Sequence, residues 1–205
     1  MPLLYLRQHA RYTLSIWHID PKETLLTQFQ HSTDIAIPKD LRHPLRRQQW
    51  LAARFCLYRY HQLPLVPSIL LHNSPPHLPS HYLSISHSHH YVAVMSATTP
   101  CGIDIQTPHP NIHKLRKRFL SPMEGAQIIS SDHLHLAWTA KEAIYKRFSS
   151  LKLNFQRDMR VSLPKNARSH VGQLPASIVL QPPQNVTQIT VNYAIWNAFY
   201  LAYTV

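Results

Sequence analysis

Hydrophobic and polar positions alternate at helical spacing in two long stretches of the chain. In residues 132–148 the stripe consists of Leu134, Trp138, Lys141, Tyr145 and Phe148. In residues 44–62 it consists of Leu51, Phe55 and Tyr58. Both spacings predict amphipathic helices. Asp132 is the predicted N-cap of the first helix, and Pro44 suits the first turn of the second.

Strict alternation of apolar and polar residues predicts β-strands in other stretches. In residues 101–106 the apolar side chains of Cys101, Ile103 and Ile105 alternate with smaller or polar ones. Asp104 and Gln106 therefore share one face of this strand. Further strands are predicted at residues 3–6, 12–19, 69–71, 82–86, 91–97, 159–163, 177–180, 188–196 and 199–205.

Shorter helices complete the pattern, at residues 22–30 and 111–120. Ser121, Pro122 and Glu124 then form a capping box that starts another helix. With a break near residues 98–100, each half of the chain consists of helices and short antiparallel strands. The predicted fold class is therefore α+β.

Composition limits the classes of function. The chain has 205 residues, of which 44% are hydrophobic, enough for a sizeable core. Lys and Arg total 21 against 9 acidic residues, a formal net charge of +12, which predicts an anionic ligand or partner. Only three glycines are present, so glycine-rich dinucleotide, phosphate-loop and G-x-S-x-G motifs are excluded.

The cysteines and the hydropathy pattern bear on the compartment. Cys56 and Cys101 are far apart and form no C-x-x-C pair, which favours a reducing environment without disulfides. No stretch approaches eighteen uninterrupted apolar residues, so neither a signal peptide nor a membrane span is expected. The expected location is the cytoplasm.

Two motifs together indicate a family. Glu142 and Lys146 are spaced one helical turn apart, and in an isolated helix such a pair is usually a solvated surface pair. Here the segment W-T-A-K-E-A-I-Y-K, residues 138–146, follows the acid-bearing strand G-I-D-I by about thirty-five residues. This combination resembles the 4′-phosphopantetheinyl transferase superfamily, in its longer, monomeric, pseudo-dimeric class.

The resemblance implies an architecture and an activity. It implies two similar α+β halves, each with helices packed on a small antiparallel sheet. The first half, residues 1–100, would contain the coenzyme A phosphate contacts. The second half, residues 101–205, would contain the metal site and the catalytic helix. The implied activity is that of a holo-[acyl-carrier-protein] synthase type enzyme. It moves 4′-phosphopantetheine from coenzyme A to a serine of an acidic apo carrier protein and releases 3′,5′-ADP. A monomer is expected, with no nucleic acid or membrane partner.

The resemblance also implies site residues in the second half. Asp104, Gln106 and Glu142 are the implied ligands of Mg²⁺, which prefers oxygen ligands. Glu142 and Lys146 are the implied catalytic residues, and Lys141 is an implied phosphate contact. Gln106 departs from the family, because that position is often Glu. An amide can still ligate through oxygen but brings no charge.

Coenzyme A phosphate contacts are implied in the first half. R-R-Q-Q-W-L-A-A-R, residues 46–54, resembles a family helix and suggests Arg47 and Arg54, although arginines on a helix more commonly form a solvated face. S-I-S-H-S, residues 84–88, suggests Ser86 and His87. Taken alone, the histidines of residues 87–90 are better interpreted as solvent-exposed than as a metal site, because neighbours on a turn diverge.

Two other classes of function remain open from the residues alone. A basic nucleic-acid-binding protein would account for the charge, but the basic residues occur in several helices and no binding motif is recognisable. A metal-dependent hydrolase built on Asp104 and the histidines is weaker still, because no spacing matches a known ligand set.

Overall fold

The computed structural model describes residues 2–20, 22, 24–66, 78, 80–165, 170–180 and 185–205. The chain divides into two compact units. The first consists of Met1–Cys101 and Val205, and the second consists of Gly102–Thr204. Each unit has one antiparallel sheet and helices, which confirms the predicted α+β class with two similar halves. The predicted strand at residues 69–71 lies outside the described residues.

The first unit contains a four-stranded sheet in the order β1-β2-β4-β3. Its strands are β1 Leu3–His9, β2 Tyr12–His18, β3 Tyr82–Ser88 and β4 Tyr91–Ala97. Two helices accompany them, α1 Leu25–Thr33 and α2 Pro44–Arg59. The β3–β4 hairpin predicted from alternation is present, with Ser88 paired to Tyr91 at its turn.

Helix α2 forms the first core with its own sheet. Its Trp50, Leu51 and Leu57 are buried together with Trp17 of β2 and Val94 of β4. Pro44 occupies the first turn, as predicted. Tyr58, by contrast, is half exposed, so its assignment to the apolar stripe was wrong.

The end of α2 comes earlier than predicted. The helix stops at Arg59 rather than residue 62, and Gln62 adopts a left-handed conformation with φ of 55°. The chain turn is closed by hydrogen bonds from His61 N to Cys56 O and from Leu63 N to Leu57 O. This turn leaves His61 buried between the hydroxyls of Ser15 and Ser96.

The second unit contains a five-stranded sheet in the order β5-β9-β8-β7-β6. Its strands are β5 Gly102–Gln106, β6 Met159–Val161, β7 Val171–Leu180, β8 Asn185–Trp196 and β9 Phe199–Thr204. Its α-helices are α3 Ile112–Phe119, α4 Pro122–Gly125 and α5 Ser131–Arg147, followed by a 3-10 turn at Ser149–Leu151. Helix α5 packs on β5 and β9, and α3 packs on α5.

Helix termini in this unit show which capping predictions hold. The capping box of Ser121 and Glu124 is present at α4. The N-cap of α5 is Ser130, whose hydroxyl accepts from His133 N, and not Asp132. Asp132 lies within the first turn, where its carboxylate suits the helix dipole and accepts a 2.6 Å hydrogen bond from Tyr200 Oη.

Across the described helices, none combines the length and apolar character needed to cross a membrane. Cys56 and Cys101 are both buried and form no disulfide with each other. Cys101 Sγ donates to Tyr82 O at 3.5 Å.

Candidate active site

The close approach of α5 to β5 determines the geometry of the candidate site. Gly102 opens β5, and a Cβ atom built on it would lie 1.9 Å from Ala143 O and 2.8 Å from Arg147 N. No real side chain tolerates a backbone contact of 1.9 Å. The missing side chain thus lets the helix backbone rest directly on the strand, one residue after Glu142 and two residues before Asp104.

Asp104 is the most buried polar residue of the site, with 2% of its surface exposed. Its Oδ1 accepts a 2.7 Å hydrogen bond from Lys146 Nζ of α5, in an ion pair. Lys146 also donates to Ile103 O at 3.0 Å. Gln106 donates from Nε2 to Asp104 Oδ2 at 3.0 Å, as expected for two residues on the same strand face.

Glu142 is the second carboxylate of the site. Burial raises its pKa to about 7, the negative charge of Asp104 adds to that rise, and Lys146 opposes it. Glu142 lies one helical turn before Lys146. The structure therefore brings together four residues that the sequence predicted, Asp104, Gln106, Glu142 and Lys146.

These residues fit a hard divalent cation. Asp104 and Glu142 would supply carboxylate oxygens, and the amide oxygen of Gln106 would be a neutral third donor. Burial, and then the charge of Asp104, raise the pKa of Glu142, and a cation held by the two carboxylates would lower it. Among the residues described, no group of three His, Cys, Asp or Glu side chains is arranged to hold a metal, so the third donor here is not an acid.

Comparison with known proteins identifies this part of the chain. Residues 100–193 match a family model described as the 4′-phosphopantetheinyl transferase superfamily. This segment, a little under half of the chain, is similar to that superfamily. It contains Asp104, Gln106, Glu142 and Lys146, so the site described above lies inside the matched region.

A curated relative gives a second comparison. The chain is similar to the 4′-phosphopantetheinyl transferase ffp of Bacillus subtilis, with 28% identity over 102 residues. The match covers 43% of this chain and 46% of the relative. The aligned region thus spans less than half the length of the relative that it matches.

Lys141 was interpreted as a phosphate contact, and the structure corrects that interpretation. Its side chain is fully buried, and Nζ donates to Glu124 Oε2 at 2.7 Å. Three backbone carbonyls, those of Phe119, Phe155 and Met159, also lie within hydrogen-bonding distance of Nζ. An ammonium has only three N–H donors, so this one has none left for a phosphate.

Arg54 of the first unit is corrected for a similar reason. It is 4% exposed, and its guanidinium lies over the Trp50 ring at 4.3 Å from the centroid. Burial lowers the pKa of Arg54 to about 10. A guanidinium so deeply buried is not accessible to a phosphate from solvent, so we assign Arg54 to the core of its unit.

Arg47 and Arg46 have different surroundings although they are neighbours. Arg47 is partly buried and lines a cleft of about 310 Å³ together with Asp20, Gln30 and Gln48. Arg46 is exposed, and its guanidinium contacts the ring of His87 on β3. The structure therefore joins His87 to Arg46 and not to Arg47.

A small polar network surrounds this contact. Arg46 Nη1 donates to Gln49 Oε1 at 3.0 Å, and Gln49 Nε2 donates to His89 O at 2.7 Å. Ser86, on the same strand as His87, is buried. Arg46 was missed as a candidate, although the R-R pair contained it. The metal-hydrolase interpretation gains nothing here, since the described histidines join no metal-binding group.

Proposed function

We propose that this protein transfers 4′-phosphopantetheine from coenzyme A to a serine of an apo carrier protein. The observation that carries the proposal is the cluster of Asp104, Glu142 and Lys146 within the segment that matches the superfamily. The relative from Bacillus subtilis supports the same class of transferase. In finer terms, we propose a holo-[acyl-carrier-protein] synthase type activity.

The reaction exchanges one phosphorus–oxygen bond for another. The serine oxygen bonds to the phosphorus next to pantetheine, the bond from that phosphorus to the bridging oxygen breaks, and 3′,5′-ADP leaves with the bonding electrons. The serine proton passes to Glu142 or to a water that Glu142 orients. Without a cation the pKa of Glu142 is raised to about 7, and a bound cation would lower it, so Glu142 is suited to accept or relay a proton at or below neutral pH.

Asp104, Gln106 and Glu142 would hold Mg²⁺, and its role would be to neutralise charge on the pyrophosphate oxygens. Lys146 has a separate role in this proposal. Its side chain is one quarter exposed, in contrast to that of Lys141. It therefore keeps a solvent-facing side from which it can donate to the leaving phosphate while it orients Asp104.

We propose that Arg46 and His87 contact coenzyme A phosphates. Charge-assisted hydrogen bonds to phosphate contribute about 1.5–3 kcal/mol, so Arg46→Ala and His87→Ala should each raise the Michaelis constant for coenzyme A roughly ten- to a hundredfold. The Michaelis constant for the carrier should change much less. Arg47→Ala is the matched control, because Arg47 lines the cleft with Asp20.

Steady-state kinetics with coenzyme A and with dephospho-coenzyme A, which lacks the 3′-phosphate, show whether a residue contacts that phosphate. If wild type and His87→Ala discriminate equally between the two, His87 does not contact the 3′-phosphate. Equal effects of Arg46→Ala and Arg47→Ala would remove the basis for preferring Arg46.

An acidic carrier would dock on α3, whose Lys114, Arg116, Lys117 and Arg118 are exposed. Arg116 and Lys117 also line a cleft of about 530 Å³ beside Leu120, Pro122 and Ile128, and the nearby Met123 is 75% exposed. Basic and apolar groups are thus presented together. This combination suits a partner helix on which acidic residues surround an apolar residue.

Reversing Arg116 and Lys117 to Glu should raise the carrier's Michaelis constant and flatten its salt dependence. Exposed pairs contribute about 1 kcal/mol or less each, and screening weakens them above 0.1 M salt, where the Debye length falls below about 10 Å. The Michaelis constant for coenzyme A should stay nearly unchanged. Kinetics from low to high salt make the comparison, and an unaltered salt slope would place the docking surface elsewhere.

The proposed function is tested with a panel of purified apo carriers from fatty acid, polyketide and peptide synthesis. Each is incubated with the protein, coenzyme A and Mg²⁺, and intact mass is recorded over time. The proposal expects one carrier at least to gain the mass of one phosphopantetheine group. No gain with any carrier would count against it.

A further inference from the structure

Lys141 and Glu124 form a buried ion pair that the proposed chemistry does not use. The exposed fractions of the two side chains are 0% and 3%, and Nζ lies 2.7 Å from Oε2. Lys141 directly precedes Glu142 in α5. Lysine and glutamate are rarely so completely buried, so their position calls for a physical reason.

The two side chains of the pair form hydrogen bonds with several different structural elements. Lys141 Nζ reaches the carbonyls of Phe119 at the end of α3, Phe155 in the loop before β6, and Met159 in β6. Glu124 Oε1 accepts from Val161 N of β6 at 3.0 Å. These bonds connect α5 to α3, α4 and the far edge of the sheet.

Glu124 is itself held by the start of α4. Its Oε2 accepts from Ser121 N at 2.9 Å and from Ser121 Oγ at 2.8 Å. The carboxylate that pairs with Lys141 is therefore also one half of the capping box. A capping box normally satisfies only its own helix terminus, whereas this one extends to a second helix.

Stability alone does not explain a buried pair of this kind. Desolvation offsets much of the attraction between buried charges, and apolar residues of similar volume are often as stable. Directional hydrogen bonds fix the rotation and axial position of a helix more sharply than apolar packing does. Most of the other buried side chains of α5, among them Leu136, Ala140 and Ile144, are apolar and specify its rotation and axial position less sharply. The buried His133 and His135 do bond to other segments, but both lie at the start of the helix, at least seven residues before Glu142.

We propose that Lys141 and Glu124 are positioning residues, which fix α5 so that Glu142 and Lys146 face Asp104. Lys141 and Glu124 themselves touch neither substrate. The inference rests on the proposed function for its kinetic readout. Displacements of about 1 Å in an active site reduce rates by up to about a hundredfold, so the position of this helix is a sensitive quantity.

The test uses Lys141→Met, Glu124→Gln and the double variant. Methionine keeps most of the lysine volume, and glutamine keeps an oxygen that can accept from Val161 N. Each single variant should lower both the thermal midpoint and the turnover number, because it leaves one buried charge without its partner. The double variant should recover the midpoint but stay about tenfold or more below wild type in turnover, with the Michaelis constant for coenzyme A within about twofold.

Hydrogen exchange supplies a readout that does not depend on activity. Amides of α5 should exchange faster in the double variant than in wild type at equal thermal midpoint. Arg157→Met is the matched control, since it removes the cation of a pair with Asp158 whose Arg157 side chain is 70% exposed. It should leave turnover and the exchange of α5 unchanged.

Three results would overturn the positioning role. Wild-type turnover in a folded double variant would show that the pair only stabilises the fold. A raised Michaelis constant for coenzyme A in Lys141→Met but not in Glu124→Gln would restore the phosphate contact. Unchanged exchange in α5 would show that the helix is not held by the pair. If wild type modifies no carrier, the proposed function fails, while the exchange comparison still decides this inference.

Discussion

Glu142→Gln is expected to lose nearly all activity while gaining stability at alkaline pH. The substitution removes a charge that both the cation site and the proton acceptor need, so turnover should fall roughly 10²- to 10³-fold, as for other preorganised electrostatic groups. Glutamine has nearly the same shape. The loss should therefore appear in turnover and in Mg²⁺ dependence, with an unchanged fold by circular dichroism.

The stability change follows from the direction of the pKa shift. Burial and Asp104 raise the pKa of Glu142 from 4.5 to about 7, so the folded state holds this proton more tightly than the unfolded state. The stability that this provides is complete below pH 4.5 and is lost as the pH rises through about 7. The loss is at most about 3.4 kcal/mol, because the pKa is raised by about 2.5 and one unit of pKa corresponds to 1.36 kcal/mol.

Denaturant unfolding between pH 4 and 9 without divalent cation provides the measurement. Wild type should lose stability relative to Glu142→Gln as the pH rises, and the two curves should run parallel below pH 4.5. In wild type, addition of Mg²⁺ should move this loss of stability to lower pH, because a bound cation lowers the pKa of the carboxylate that holds it. Parallel stability curves over the whole range would mean that Glu142 is not buried beside Asp104.

Gly102→Ala should impair both folding stability and activity. The new Cβ would meet Ala143 O at 1.9 Å, and backbone atoms cannot rotate away as a flexible side chain can. Helix α5 must therefore move away from β5, in the region that holds Glu142 against Asp104. Overpacking of a tight contact costs about 1–3 kcal/mol, and we expect the upper end of that range here. Turnover should fall about a hundredfold in the protein that still folds.

Gly125→Ala is the control for this substitution. A Cβ on Gly125 meets no atom within 4 Å, and the residue lies in α4. Alanine there should be neutral or stabilising by about 0.4–1 kcal/mol, because it restricts the unfolded chain. Urea unfolding and turnover of both variants test the contrast. Similar behaviour of the two would show that α5 does not rest on β5 as closely as described.

Local patterns predicted much of the second unit. Alternation placed Asp104 and Gln106 on one strand face, and their side chains are hydrogen bonded. Helical spacing placed Glu142 one turn before Lys146. The capping box at Ser121 was also visible in the letters. These are contacts between residues close in sequence, for which backbone geometry alone decides which side chains meet.

Lys141 shows where a pattern contained more than its interpretation used. Its position in the inward stripe of α5 was a signal of burial, yet the charge suggested a phosphate contact. Its partner Glu124 lies seventeen residues earlier, and three carbonyls from separate elements complete its surroundings. Neither the partner nor those carbonyls could be assigned before the tertiary packing was known.

In the first unit, too, charge alone did not predict which arginine side chains are accessible. Arg46, Arg47 and Arg54 are equivalent in charge, but one contacts His87, one lines a cleft and one lies over Trp50. Which of them remains accessible depends on how α2 packs against the sheet. Sequence spacing gives the helix face only approximately, so residues at the border of the buried stripe were assigned wrongly.

The most direct test of the central claim compares wild type with Asp104→Asn in the transfer reaction. Both proteins are incubated with coenzyme A, Mg²⁺ and the most reactive apo carrier, and holo carrier and 3′,5′-ADP are quantified together. The account predicts equal amounts of the two products with wild type, and a rate lower by roughly 10²- to 10³-fold with a folded Asp104→Asn. Wild-type turnover by Asp104→Asn, or holo carrier formed without 3′,5′-ADP, would contradict it.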